Sequence, residues 1–417
     1  MPSPSSASLR RALVAELERT GVIRSAAVKR AFLRVPRERF VPEIAAREGL
    51  ARVYANEALM TRTPQSGLPT SSSSQPSIMA EMLEQLRLRP GLRVLEIGAG
   101  TGYNAALLSL LVGRGGSVTS VDVQWDLADK AAKALREGGY GVDVLVGDAQ
   151  HGRFGDGPYD RIILTASTDH VPRAWFDQLV PGGLIEMPLR LGPPGPYQQL
   201  VVTFERAGDG LRSVAVVGGG FMNLRSAGDG GTGEERQPLV SVHEFIDGRY
   251  RVYANLVGPG VAALKPEARR RLAGLLVSTP RTRTFAAPGG AGNTVLALVA
   301  LSEPRRGVVV GHYGPEKPGI GVAATDGRSL ALLVPDRKPD RCRLLQYGRN
   351  GVGLLDGELA RWRAAGRPAL GDWSIAVTFG EERPRGGDCV LRRRDCWITV
   401  DFGCNGLHPV KPAARKT

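Results

Sequence analysis

Residues 94–102 read Val-Leu-Glu-Ile-Gly-Ala-Gly-Thr-Gly, an apolar run that carries one acid and ends in alternate glycines. Between a strand and a helix, such glycines let the backbone approach a ligand where a Cβ would collide. Loops that hold a dinucleotide pyrophosphate are spaced GxGxxG. Here Gly98, Gly100 and Gly102 alternate, and Glu96 just ahead of them suits a cationic ligand better than a phosphate. Two more acids close strand-like runs downstream. Asp122 ends SVTSVD, where a carboxylate can accept from a ribose diol. Asp148, in VGDA, can accept from an adenine amino group, with Ala149 offering its backbone N–H. Singly, a strand-end acid reads equally well as a helix cap or a surface residue. Three in this order around a glycine loop point to S-adenosylmethionine rather than NAD.

The elements that must position these groups follow from periodicity. RVLEIGAG, SVTSVDV, VDVLVGDA and DRIILTA read as strands, alternating with helices TGYNAALLSLLVG, WDLADKAAKALREGG and RAWFDQLV. GGLIEMPL and QQLVVTFER add two more strands, giving an α/β, Rossmann-like domain with helices on both faces. Ahead of it, residues 8–50 show two amphipathic helices, the first with Leu9, Leu13, Val14 and Leu17 at helical spacing and Gly21 as its stop. Residues 51–76 read as loop, including four serines at 71–74. A helix then covers 78–88, with Ser77 as its expected N-cap. RSAGDGGTGEERQP has no apolar period and reads as a linker. Beyond it RGVVVGHYG, GIGVAATDG, SLALLVPD, WSIAVTFG and CWITVDFG read as strands around helices near 264–276 and 354–365. The expected division is 1–225, linker 226–238, and an α+β domain at 239–417.

VLEIGAGTGYNAALLSLLVG resembles the first motif of protein-L-isoaspartate O-methyltransferases. LVAELERTGVI, AFLRVPRERFVP, SSQPSIMA, PYDRIILTAS, VPRAWFDQLVPGGLIEMPL and QQLVVTFER resemble that family in the same order, over residues 9–225. The resemblance implies carboxyl methylation by S-adenosylmethionine and puts Ser74 on the family's active-site serine. It also implies that 73–77 close over the methyl donor, with Ser73, Ser77 and Ala166 among the cofactor contacts. Carboxylates are nucleophilic at pH 7, so Ser74 is a positioning donor and no strong base is required. His170 is therefore not needed as one. The chain departs from the family at Thr165-Ala166-Ser167-Thr168-Asp169-His170 and at Met187-Pro188-Leu189-Arg190. Both segments border the family's substrate side, which makes Ser167, Thr168 and Arg190, with Ser74, the expected acceptor contacts.

Composition sets the remaining bounds. A chain of 417 residues exceeds one ordinary core. It has no apolar run of about 18 residues that would span a membrane. Acids and arginines interrupt the N-terminal apolar stretch, unlike a signal peptide, so a cytoplasmic protein is expected. Cys342, Cys389, Cys396 and Cys404 show no CxxC spacing, and no metal is expected. The net charge of +14 is uneven, +4 over residues 1–225 and +10 over 226–417. The second half resembles, at LARWRAAGRPALGDWSIAV, a branch of the family associated with ribosomally made, modified peptides. That likeness implies an acidic precursor peptide as partner, methylated on an aspartate side chain to give an aspartimide or isoaspartate. An isoaspartyl repair enzyme with an added domain is the alternative. A nucleic-acid-directed enzyme is a third reading, opposed by the scarcity of aromatics in the basic stretches. Arg269–271 and Arg392–394 are expected to be solvated surface.

Overall fold

The computed structural model describes residues 4–63, 70–152, 154–192, 199–226, 240–246, 249–257, 264–276, 278–287, 308–313, 319–336, 338, 341–349, 353 and 355–402. Cys404 and the expected linker, Ser226 excepted, lie outside these residues. The chain opens with helices α1 (Ser6–Arg19), α2 (Ala26–Arg34), α3 (Pro42–Glu48) and α4 (Leu50–Val53). Ser5 and Ser25 cap the first two by accepting from the backbone N–H of Ser8 and Val28. Residues 51–76 are not all loop: β1 (Leu59–Arg62) and β2 (Ser71–Ser73) form an antiparallel ribbon, with Leu59 opposite Ser73. Helix α5 (Pro76–Gln85) starts two residues earlier than expected, with Gln75 rather than Ser77 at the N-cap. Pro76 takes the first helical position, where its missing N–H costs nothing.

The central sheet is built from β3 (Arg93–Ile97), α6 (Tyr103–Val112), β4 (Ser117–Asp122), α7 (Trp125–Glu137), β5 (Asp143–Val146), β6 (Tyr159–Leu164), α8 (Arg173–Gln178) and β7 (Leu179–Arg190). The strand order β5-β4-β3-β6-β7 is parallel, and β8 (Gln199–Ala207) and β9 (Gly210–Gly218) continue it antiparallel. Because β4 and β6 flank β3, the order reverses there. The crevice for a ligand therefore opens at the carboxyl ends of β3, β4 and β6. Helix α6 is buried almost all round, since it lies between this sheet and the N-terminal helices, sharing a core with Leu13, Leu17 and Phe32.

The second half forms an antiparallel sheet from β10 (Val240–Ile246), β11 (Arg249–Val257), β12 (Arg281–Ala286), β13 (Val308–Tyr313), β14 (Gly319–Ala323), β15 (Leu330–Pro335) and β16 (Arg341–Tyr347), in the order β10-β11-β13-β14-β15-β16-β12. Helix Pro266–Leu276 buries Ala268, Leu272 and Leu276 against it. The remaining strands correct the expected division of the chain. β17 (Ser374–Thr378) pairs with β9, and β19 (Trp397–Asp401) and β18 (Cys389–Arg392) extend the same edge, so the first sheet has ten strands. Trp362, Ile398 and Val400 accordingly share one core with Leu164, Trp175 and Leu189. An open edge at β9 explains this: its backbone groups find partners in the distant segment rather than in water.

Candidate active site

The glycine loop joins β3 to α6 across three positive-φ residues: Gly98 at 102°, Gly100 at 52° and Gly102 at 84°. The backbone N–H groups of Gly98 and Ala99 both donate to Val121 O, at 2.8 and 3.1 Å, which folds the loop onto the end of β4. A Cβ on Gly98 would collide with Thr165 Oγ1, which itself donates to Gly98 O at 2.5 Å. Asp122 accepts from Gly100 N (2.9 Å) and Gln124 N (3.0 Å), and burial raises its pKa. The expected ribose acceptor thus also ties the loop to β4. Asp148 accepts from Gln150 N and lies 3.1 Å from His151 Nδ1. Trp175 Nε1 donates to Ala149 O at 2.6 Å, fixing the peptide that would face an adenine edge.

Glu96 departs from its expected role. It is 0% exposed, and its oxygens accept from Asn104 Nδ2 (2.8 Å) and Ser120 Oγ (2.5 Å). With no surface on the crevice, it braces the loop from beneath instead of meeting a ligand. Burial outweighs those two donors and pushes its pKa up to about 7.

The serine segment lies directly on this loop: a Cβ on Gly100 would stand 3.7 Å from Ser72 O. Ser71 and Ser73 are buried, and Ser71 Oγ accepts from Thr61 Oγ1 at 2.9 Å. Behind the segment stands Arg37, wholly buried and, among the described residues, paired with no carboxylate. Its Nη1 donates to Val53 O (2.9 Å) and Ala55 O (3.3 Å). Its Nη2 donates to Ser74 O (2.9 Å), Ser73 O (3.3 Å), Ser73 Oγ (3.4 Å) and Glu57 O (3.3 Å). Burial lowers its pKa to about 10. Among the described residues the Ser74 hydroxyl has no partner, which leaves it available to an acceptor. Asn56 completes the frame: its Oδ1 accepts from Ser77 N at 3.0 Å and its carbonyl accepts from Gln75 Nε2 at 2.9 Å. Neither Arg37 nor Asn56 stands out in the sequence. Arg37 sits in a charged PRERF run that looks like surface, and its place inside a stretch resembling the family was the one available signal.

On the opposite wall, the loop after β6 begins with Ala166, half-buried beside Thr165 at the glycine loop. Ser167 and Thr168 are buried, and their groups fasten the loop rather than face an acceptor. Ser167 donates to Asn223 Oδ1 (3.0 Å), Thr168 Oγ1 donates to His170 O (2.8 Å), and their backbones pair with Met222, Leu224, Pro188 and Arg190. Arg190 donates to Asn223 Oδ1 at 2.6 Å and to Asp169 Oδ2 at 3.2 Å. Asp169 is held well below the usual carboxylate range by its bond to His170 and by Arg190. The expected surface role of Arg392–394 holds poorly for Arg393, which reaches inward to donate to Leu191 O at 2.7 Å.

The described residues contain no cluster of three His, Cys, Asp or Glu groups that could hold a metal ion. None of their helices is long and apolar enough to cross a membrane.

The residues of this crevice fit an adenosyl donor: a cradle of three positive-φ glycines, with acids at the ends of β4 and β5. Relatives agree in name. A protein-L-isoaspartate O-methyltransferase of Methanothermobacter thermautotrophicus is 37% identical over 216 residues, 52% of this chain and 94% of its own length. One from Methanopyrus kandleri is 41% identical over 182 residues, 43% of this chain and 76% of its own. A solved structure described as a protein-L-isoaspartate O-methyltransferase is 26% identical with a TM-score of 0.49, covering 88% of this chain and 96% of its own. The family described as protein-L-isoaspartate(D-aspartate) O-methyltransferase matches residues 8–221, from α1 through the glycine loop and both walls of the crevice, and this chain belongs to it.

Proposed function

We propose that this carboxyl methyltransferase acts on the free α-carboxylate of isoaspartyl residues in peptides or proteins. Such a residue continues the chain through its side-chain carboxyl and leaves the α-carboxylate free to react. When bound, S-adenosylmethionine supplies a methyl group on a cationic sulfur. The chain's own residues must place the carboxylate in line and keep water away. No group needs to remove a proton, which agrees with His170 being committed to Asp169. The observation that supports the reading is β2 lying against the glycine loop at Ser72, followed directly by Ser74, whose hydroxyl has no partner among the described residues. Arg37, held at the back of that segment, adds a positive charge that favours an anionic acceptor.

The narrower reading, methylation of an aspartate in an acidic precursor peptide gripped by residues 239–417, rests on the +10 balance of 226–417 and on a short likeness. The isoaspartyl acceptor leads because the relatives that match the catalytic residues carry that name. Incubation with radiolabelled S-adenosylmethionine separates the two. A peptide with one isoaspartyl residue should gain a base-labile methyl ester, and its aspartyl isomer should not. Label on the aspartyl peptide alone would overturn the proposal in favour of the narrower reading.

A further inference from the structure

We propose that the turn of the C-terminal hairpin, Arg393 to Asp395, is a positioning element of the acceptor site. It sets how tightly isoaspartyl chains bind by holding the Asp169–Arg190 pair. This inference rests on the proposed reaction and adds to it a part of the chain that lies outside residues 8–221.

The geometry starts at the sheet. β6 and β7 run parallel, so Asp169, in the loop after β6, and Arg190, at the end of β7, both lie at the carboxyl-end rim where the crevice opens. Arg190 Nη2 stands 3.2 Å from Asp169 Oδ2, with the arginine side chain 16% exposed and the aspartate 49%. The pair is thus a cation with a limited face on the rim, aimed by an acid that remains half in water. A guanidinium held in this way, through Nη1 by Asn223 and through Nη2 by Asp169, keeps its remaining N–H groups and its charge aimed for a carboxylate or backbone carbonyl of an incoming peptide.

The hairpin fixes that pair from behind at three points. Asp395 Oδ2 lies 3.7 Å from His170 Nε2, while His170 Nδ1 lies 2.9 Å from Asp169 Oδ1, so the imidazole stands between the two acids. Arg393 donates to Leu191 O, the residue after Arg190. The Val171 N–H reaches the Cys396 sulfur. Phe379, following β17, packs 5.0 Å from Phe176 of α8 and secures the same side of the sheet. The polar contacts that residues 393–396 make outside the hairpin fall, among the described residues, on 170, 171 and 191, adjacent to the pair, and none falls on the glycine loop or β2. The hairpin should therefore act on the acceptor and leave the donor untouched.

The test uses the full chain with Asp395→Asn, Arg393→Met and, as a control from the same turn, Arg394→Ala, whose side chain is exposed. Steady-state KM and kcat for an isoaspartyl peptide are measured beside the dissociation constant of S-adenosylhomocysteine. Asp395→Asn and Arg393→Met should raise KM by roughly five- to tenfold, the loss expected for one ordinary hydrogen bond, with kcat and cofactor affinity kept. Asp395→Glu should recover part of it. Adding His170→Gln to Asp395→Asn should bring little more, because both act through one contact. Hydrogen exchange of the 166–171 amides should quicken in Asp395→Asn and not in Arg394→Ala, whatever the acceptor is. Unchanged KM with unchanged exchange overturns the inference, as do parallel losses of kcat and cofactor affinity. If the wild type ignores isoaspartyl peptides while the exchange result stands, the fault lies in the assigned acceptor, and the positioning role survives.

Discussion

Replacing Arg37 tests whether a buried cation, and not only a serine, builds the acceptor side. In Arg37→Met the carbonyls of Val53 and Ser74, each now accepting at 2.9 Å, lose their donor inside the protein. An orphaned buried acceptor costs about 1–3 kcal/mol, and the four longer contacts add less. Against this runs relief: the guanidinium is buried at a cost, as its pKa of about 10 shows, and methionine removes it. The net expectation is a loss of about 2–4 kcal/mol, within the range for breaking a buried polar network. Arg37→Lys is the sharper variant. It keeps the charge but offers three N–H donors from a single point, which cannot reach Val53, Ala55, Glu57, Ser73 and Ser74 together. It should be no more stable than the methionine variant, although by charge it is the conservative change. Urea unfolding at pH 7.5 gives the stabilities, and turnover is then read at a temperature where both variants are folded. Turnover should fall while S-adenosylhomocysteine affinity falls less, because the guanidinium anchors β2 and not the glycine loop. A lysine variant with the wild-type urea midpoint and wild-type turnover would refute the reasoning, since the fork geometry would then be irrelevant.

Three further outcomes follow from the site. Gly98→Ala should lose measurable S-adenosylhomocysteine binding by calorimetry, because φ of 102° and the Thr165 hydroxyl both oppose a Cβ; retained affinity would mean the loop can shift. Ser74→Ala should lower kcat by about 10- to 100-fold, the worth of one donor to a charged group, while cofactor affinity stays. Wild-type turnover there would return the serine to a structural part. For Glu96, burial raises the folded pKa from 4.5 to about 7, so the folded state holds the proton more tightly. Its contribution to stability is full below pH 4.5 and lost as pH rises through 7, by about 3 kcal/mol at most. Glu96→Gln should flatten that slope in urea titrations between pH 5 and 8, and an unaltered slope would place the proton elsewhere.

The order of elements from β3 to β8 is legible because each follows from a local period: alternation or an apolar run for strands, the 3.6-residue stripe for α7. The serine strand is not legible by that route. Serines carry no apolar alternation, and what makes 71–73 a strand is pairing with Leu59–Arg62 and the three donations of Arg37 to Ser73 and Ser74, all made by residues distant in sequence. Glu96 shows the opposite failure. Its position in the motif is plain, but whether its carboxylate faces a ligand or the interior depends on Asn104 and Ser120, which no spacing rule assigns. Ser167 and Thr168 raise the same question: a hydroxyl near a crevice can face it or tie the loop down, and bonds to Asn223 and His170 tie these two down.

The C-terminal strands carry the point further. WSIAVTFG and CWITVDFG read correctly as strands, but a strand's period of two says nothing about which edge it will join. The antiparallel addition at β9 leaves the glycine loop untouched while bringing the turn of the C-terminal hairpin to Leu191, just past β7. That placement has a selective logic. The donor loop holds positive φ at Gly98, Gly100 and Gly102, where a side chain is strained. In the proposed reading, the acceptor rim is built from side chains at the ends of β6 and β7, where a neighbouring segment can alter the presentation of one arginine without disturbing the methyl donor. On that reading, growth at β9 changes acceptor binding while leaving donor binding as it is.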